Sequence, residues 1–184
     1  VSVRSDGRRA VCLLASAVAL ATSGCAVLEA PRAADEPAGA RQRAEVLAVT
    51  DGDTIRVSLN GRTERIRMAL LDAPEASSTR YGRPECGGSE ATRRLENLLD
   101  GGRVTLTRPS SENRDKFGRL VREVRVDGRS VDEQMIRGGW AKPYRVPAAD
   151  GGAAANRRIA RAAATAKRKQ RGVWALCGRF GRPQ

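Results

Sequence analysis

Residues 51–75 read DGDTIRVSLNGRTERIRMALLDAPE, and this stretch sets the fold. Apolar residues alternate with polar ones on both sides of Asn60-Gly61: Ile55, Val57 and Leu59 before it, Ile66, Met68 and Leu70 after it. A period of two puts each set on one face of a strand. Asn-Gly is a strong hairpin signal, because both residues tolerate the positive φ that a tight two-residue turn demands. The segment therefore predicts an antiparallel hairpin with an apolar inner face and with Arg65 and Arg67 on the opposite one. Pairing in that hairpin brings its DGDT start near its DAPE end, and Asp53 within reach of Asp72.

The flanking sequence extends this unit. EVLAVT reads as a preceding strand, and Pro74 stops the hairpin's second strand. A loop through Pro84, Gly87 and Gly88 leads to Ser89, the expected N-cap of a helix EATRRLENLLD that Gly101-Gly102 closes. RVTLTR and RLVREVRV predict two more strands around the polar loop PSSENRDKFG, with Asp127-Gly128 as the next turn. SVDEQMIRGG reads as a short capped helix and ANRRIARAAATAKRKQRG as a longer one. Five strands with about three helices on one small core predict an α+β fold, a five-stranded β-barrel of the OB type.

Charge and cysteine usage narrow the function. The 184 residues carry 34 Lys plus Arg against 21 Asp plus Glu, a formal charge of +13, which points to a polyanionic partner. The chain contains no histidine, which excludes Ser-His-Asp and Cys-His catalysis and the usual His-rich zinc site. The four cysteines, Cys12, Cys25, Cys86 and Cys177, are too far apart for a CxxC knuckle, so any metal is a hard cation held by oxygens.

Residues 1–25 read as an export signal. Arg4, Arg8 and Arg9 precede the apolar run VCLLASAVALATSG, and small residues lead into Cys25 as in a lipobox, where the cysteine is lipidated. Thr22 stands where that pattern has leucine, which leaves ordinary signal cleavage as the alternative. Residues 26–43 are rich in Ala, Pro and charge and read as a flexible tether, 44–178 as the folded domain and 179–184 as a tail. The expected location is secreted or, through a lipid on Cys25, at the cell envelope. In an oxidising compartment Cys86 and Cys177 remain as one pair, for which a disulfide is favoured over two buried thiols.

The residues left for chemistry are acids and arginines. Cleaving a phosphodiester requires an activated water and cancellation of charge on the phosphoryl oxygens. Glu75 is the candidate base, and Arg67 and Arg119 are candidate paired donors to the phosphate. Asp53 and Asp72 are candidate carboxylate ligands for a hard cation. DGDT, IRMALLDAPE, RDKFGR and GGWAKPY, in that order and spacing over roughly residues 44–177, resemble the staphylococcal nuclease (thermonuclease) family. The resemblance implies an OB-fold nuclease that needs Ca²⁺ and cleaves DNA and RNA to 3′-phosphate ends. It also implies catalytic roles for Arg67, Glu75 and Arg119, and Ca²⁺ binding by Asp53, Asp72 and the backbone carbonyl of Ala73. Lys116 and Tyr144 are the substrate contacts it suggests, while Phe117 replaces a phosphate-contacting tyrosine and the stacking segment around Tyr144 is shortened. The chain is expected to act as a monomer. The alternative is a non-catalytic OB-fold module that binds nucleic acid at the envelope.

Overall fold

The computed structural model describes residues 1, 37, 39–77, 83–147 and 152–181. Apart from residue 1, the expected export signal lies outside the described residues, as do Cys25, the tether up to residue 36 and residues 182–184. In chain order the elements are β1 (Arg41–Asp51), β2 (Thr54–Leu59), β3 (Arg62–Met68), β4 (Leu71–Asp72), α1 (Gly88–Leu98), β5 (Arg103–Thr107) and β6 (Leu120–Val126). They continue with β7 (Arg129–Ser130), α2 (Val131–Arg137), β8 (Lys142–Pro143), α3 (Gly152–Arg168) and α4 (Val173–Leu176).

The hairpin forms in the expected register, from Thr54 opposite Arg67 to Leu59 opposite Arg62, around Asn60 at φ 51° and Gly61 at φ 74°. β1 packs against β2 on one side and β5 on the other, and β5 pairs with β6, all antiparallel. A parallel pairing of β3 with β6 then closes five strands into a barrel. β1 is longer than expected. It begins at Arg41, inside the stretch read as tether, because Gln42 and Ala44 alternate inward while residues 41–45 pair along the whole of β5.

Ile55, Val57, Ile66, Leu106, Leu120 and Val124 are fully buried in the barrel strands, each worth about 1.5–3 kcal/mol of apolar burial. Leu95 of α1, Met135 and Ile136 of α2, and Ile159 of α3 join the same core. α3 manages this with few large side chains: Ala155, Ile159, Ala162 and Ala166 make a narrow buried stripe and leave its arginines outside.

The capping of α2 is as expected, with Ser130 accepting from the Glu133 amide. That of α1 is not. Gly87, at φ 85°, occupies the N-cap and Ser89 lies inside the helix. The helix starts early because Gly88 presses against the backbone of Glu75, where any Cβ would collide with the carbonyl. The disulfide between Cys86 and Cys177 is formed, joining the start of α1 to the end of α4 across 91 residues of sequence.

One buried acid ties the layers together. Asp132, at 0% exposure, accepts from the amides of Leu70 and Val124, both at 3.0 Å, and so fastens α2 to the end of β3 and to β6. Burial raises its pKa from 3.8 to about 7 against the pull of those amides. The folded state therefore holds this proton more tightly than the unfolded chain, and the stability it contributes is full below pH 3.8 and lost as the pH rises towards 7. Urea denaturation of Asp132→Asn should show a shallower decline over that window. The variant should also be less stable by about 1–3 kcal/mol, since one amide faces a donor in place of an acceptor. Reducing the disulfide should cost a further 2–5 kcal/mol, about what closing so long a loop contributes, read as a lower Tm.

Candidate active site

Barrel closure assembles the site. In the parallel β3–β6 pair Arg67 lies opposite Val121, so Arg119, just before β6, comes up beside the hairpin 52 residues earlier in the chain. Arg67 sits between the two predicted metal carboxylates. Its Nη1 is 2.6 Å from Asp53 Oδ2 and donates to the Leu71 carbonyl at 3.1 Å, and its Nη2 donates to Asp72 Oδ1 at 3.1 Å. A guanidinium has five N–H donors, so two remain for another acceptor.

Arg119 is held as firmly by residues that sequence reasoning missed. Asp115 Oδ2 accepts from its Nε at 2.7 Å and lies 2.7 Å from its Nη2, and Thr54 Oγ1 accepts from its Nη1 at 3.1 Å. Thr54 donates in turn to Asp53 Oδ1 at 2.9 Å, so one continuous polar chain runs from Asp115 through both arginines to Asp72. Lys142 of β8 ends it, 2.9 Å from Asp72 Oδ2. Asp115 also shapes its own loop: Oδ1 accepts from the amides of Phe117 and Arg119. An Asp two residues before an amide is an Asx-turn signal, which is how RDKFGR betrays it. Burial works against its charge, but the hydrogen bonds from Arg119 and Phe117 more than offset this and lower its pKa. Arg65 donates to the Phe117 carbonyl at 2.8 Å, and Arg114 bridges Glu64 and the Gly118 carbonyl, so the loop is braced from the outer face of β3.

Glu75 is exposed, and its carboxylate has no hydrogen bond or ion pair among the described residues. Partial burial raises its pKa, followed by the charges of Asp51, Glu85 and Asp72, with Arg67 opposing. Asp53 is pushed to about 7, mainly by burial and then, against Arg67, by Asp51. Five acids, Asp51, Asp53, Asp72, Glu75 and Glu85, thus crowd one end of a strongly basic chain.

Among the described residues no group of three or more Asp, Glu or Cys side chains is arranged to hold a metal ion. Asp53 and Asp72 nonetheless meet at Arg67, and the Ala73 amide lies against Asp53 Oδ2 at 3.3 Å. This donor set is all hard oxygen, and a buried carboxylate with raised proton affinity is one that a divalent cation ionises. In donor chemistry these residues suit a hard cation such as Ca²⁺, although in this structure Arg67 bridges the two carboxylates.

Arg67 and Arg119 open into a cleft of about 290 Å³ that Lys116, Phe117 and Tyr144 also line. Phe117 and Tyr144 are 60% and 55% exposed there, and Lys116 and Arg119 lie over the Phe117 ring at 5.0 and 5.3 Å. The structure thus gathers Arg67, Arg119, Lys116 and Tyr144 in one cleft and attaches Asp53 and Asp72 to Arg67. Trp140 packs on the core and Trp174 stacks edge-on against Phe180, which removes both from the cleft.

Residues 65–176 match the family model described as "Staphylococcal nuclease homologue". The chain is similar to the SPbeta prophage-derived endonuclease YokF of Bacillus subtilis (strain 168), 37% identical over 92 residues, half of this chain and 31% of that protein. It is also similar to endonuclease YncB of the same organism, 37% identical over 92 residues and 43% of that protein. An uncharacterized endonuclease of Escherichia coli is 37% identical over 100 residues, 59% of its length. The matched part is thus a third to three-fifths of each relative's length. With the family model matched over more than half the chain, on a closed five-stranded barrel with the arginine-lined cleft at its seam, the chain belongs to the staphylococcal nuclease homologue family.

Proposed function

We propose that this chain is a secreted or lipid-anchored, Ca²⁺-dependent nuclease that hydrolyses phosphodiester bonds of DNA and RNA. The carrying observation is that two anchored arginines, each with N–H groups to spare, face one cleft, and that Glu75, near enough for the charge of Arg67 to act on it, has a carboxylate with no partner among the described residues. The relatives named as endonucleases support the same reading.

In this reading Glu75 takes the proton of a water that attacks phosphorus. The 5′ oxygen departs and is protonated, and the phosphate stays on the 3′ oxygen. Arg67 and Arg119 donate to the phosphoryl oxygens as charge grows there, and because Asp53, Asp72, Asp115 and Thr54 already fix them, little reorganisation is needed. Asp53 and Asp72, with the Ala73 carbonyl, would hold Ca²⁺, which supplies further charge cancellation at the phosphate. Lys116 adds a cation, and Phe117 and Tyr144 offer faces for bases. A binding-only module would use the same arginines and aromatics but has no use for a Glu75 carboxylate left without a partner among the described residues.

The deciding experiment is digestion of single-stranded DNA by the purified chain, with Ca²⁺ and then with excess chelator. Cleavage to 3′-phosphate ends that stops on chelation is the expected result. Salt-sensitive binding without cleavage would favour the binding module. Glu75→Gln should cut turnover by about 10²–10⁴ while leaving affinity nearly unchanged, and unchanged turnover would remove Glu75 from the mechanism. Independently of activity, Ca²⁺ at a hundred times its Kd should stabilise the fold by about 2.7 kcal/mol, and Asp53→Asn should abolish that shift.

A further inference from the structure

Glu75 is the one proposed catalytic group whose side chain the described residues do not hold. Arg67 and Arg119 are each fixed by two or more partners, whereas the position of Glu75 depends on its backbone. That backbone is clamped from one place. The Glu85 amide donates to the Glu75 carbonyl at 2.9 Å, and the Glu75 amide donates back to Glu85 Oε2 at 3.4 Å. Gly88, three residues on, fits against the same carbonyl only because it lacks a Cβ.

The clamp has its own anchor. Cys86, between Glu85 and the helix start, is bonded to Cys177. Gly87 beside it rests on Val173, where a Cβ would come within 2.8 Å of the valine side chain. Val173 is fixed in turn, its amide donating to the Gly139 carbonyl at 2.9 Å. The short α4 is therefore a post, and the disulfide is the covalent link from that post to the segment gripping Glu75.

We propose that Glu85, held in place by the Cys86–Cys177 disulfide, is the positioning residue for Glu75, so that turnover requires the oxidised chain. This rests on the reading of Glu75 as the base. Two electrons and two protons from a dithiol open the bond to a pair of thiols, the reagent becoming a disulfide. The arginines and aromatics of the cleft lie on β3, the 113–119 loop and the segment after β8, none of which the bond touches. Substrate binding should thus survive reduction while the chemical step suffers.

The test is steady-state cleavage of single-stranded DNA by the wild-type chain, Glu85→Ala and Glu85→Gln, each with and without dithiothreitol, with circular dichroism to follow the fold. Glu85→Ala should lower kcat about tenfold or more at unchanged KM, since small misplacements of a catalytic group are costly. Glu85→Gln, which keeps an acceptor oxygen, should restore most of the loss. Reduction should slow the wild type in the same way and add less than about twofold to Glu85→Ala, because coupled changes are not additive. Unchanged kcat, a rise confined to KM, losses that multiply, a glutamine variant as slow as alanine, or unfolding on reduction would each overturn the assignment. Absence of cleavage by the oxidised wild type would overturn both it and the nuclease reading. Cleavage by the wild type that Glu75→Gln does not slow would locate the failure in the choice of base.

Discussion

Everything in the site depends on three residue pairs, Ile66 with Leu120, Arg67 with Val121 and Met68 with Arg122, that join β3 and β6 in parallel. Antiparallel neighbours account for the rest of the barrel and leave it an open sheet. The parallel seam closes it, and closure is what sets Arg119 beside Thr54 and hence beside the Asp53–Arg67 pair. A parallel pair needs a long crossover, and here it consists of β4, α1 and β5. Asp132 reinforces the seam by accepting from the amides of Leu70, just past β3, and Val124, within β6. The cost is a fully buried carboxyl whose ionisation burial opposes.

The local parts of this were legible in sequence. Alternation and Asn60-Gly61 gave the hairpin, because side-chain period and turn chemistry are properties of neighbours in the chain. Arg67, Glu75 and Arg119 were legible as a set only through the spacing of several motifs that were each weak alone. What could not be read are contacts between distant residues: Thr54 with Arg119, Lys142 with Asp72, and the grip of Glu85 on Glu75. The Ser89 cap failed for a related reason. Propensity favours serine at that position, but close packing of Gly88 on Glu75 started the helix at the preceding glycine. The first three strand residues, Arg41 to Arg43, were lost to the tether because their composition is polar and only pairing with β5 makes them a strand.

The site shows how one residue type is given different tasks by its surroundings. Asp115 makes hydrogen bonds that outweigh its desolvation, stays low in pKa and serves as a fixed negative post for Arg119. Asp53 is buried beside Asp51 and is raised to about 7, so it gains most from a cation. Glu75 is raised by partial burial and then by three neighbouring acids, and its carboxylate has no partner among the described residues. On the proposed reading, this division among carboxylates would let a chain without histidine draw a base, a metal ligand and an orienting group from acids alone.

The cleft also constrains what kind of nucleic acid fits it. Reading base edges relies on side chains such as Asn and Gln for adenine and free carboxylates for cytosine. Among the described residues no Asn or Gln lines this cleft, and of its two carboxylates Asp115 is committed to Arg119 while Glu112 is exposed. The lining offers cations and two exposed aromatic faces, and these recognise phosphate and any base alike. Phe117 lacks a hydroxyl, so its ring contributes contact area and a surface for the flanking cations without a hydrogen bond. Arg65 and Asp115 fix the loop's backbone while leaving that ring in solvent, so stacking costs little ordering. On the proposed nuclease reading, a cleft so equipped would favour an accessible phosphate and an unstacked base, which single strands present and intact duplexes hide.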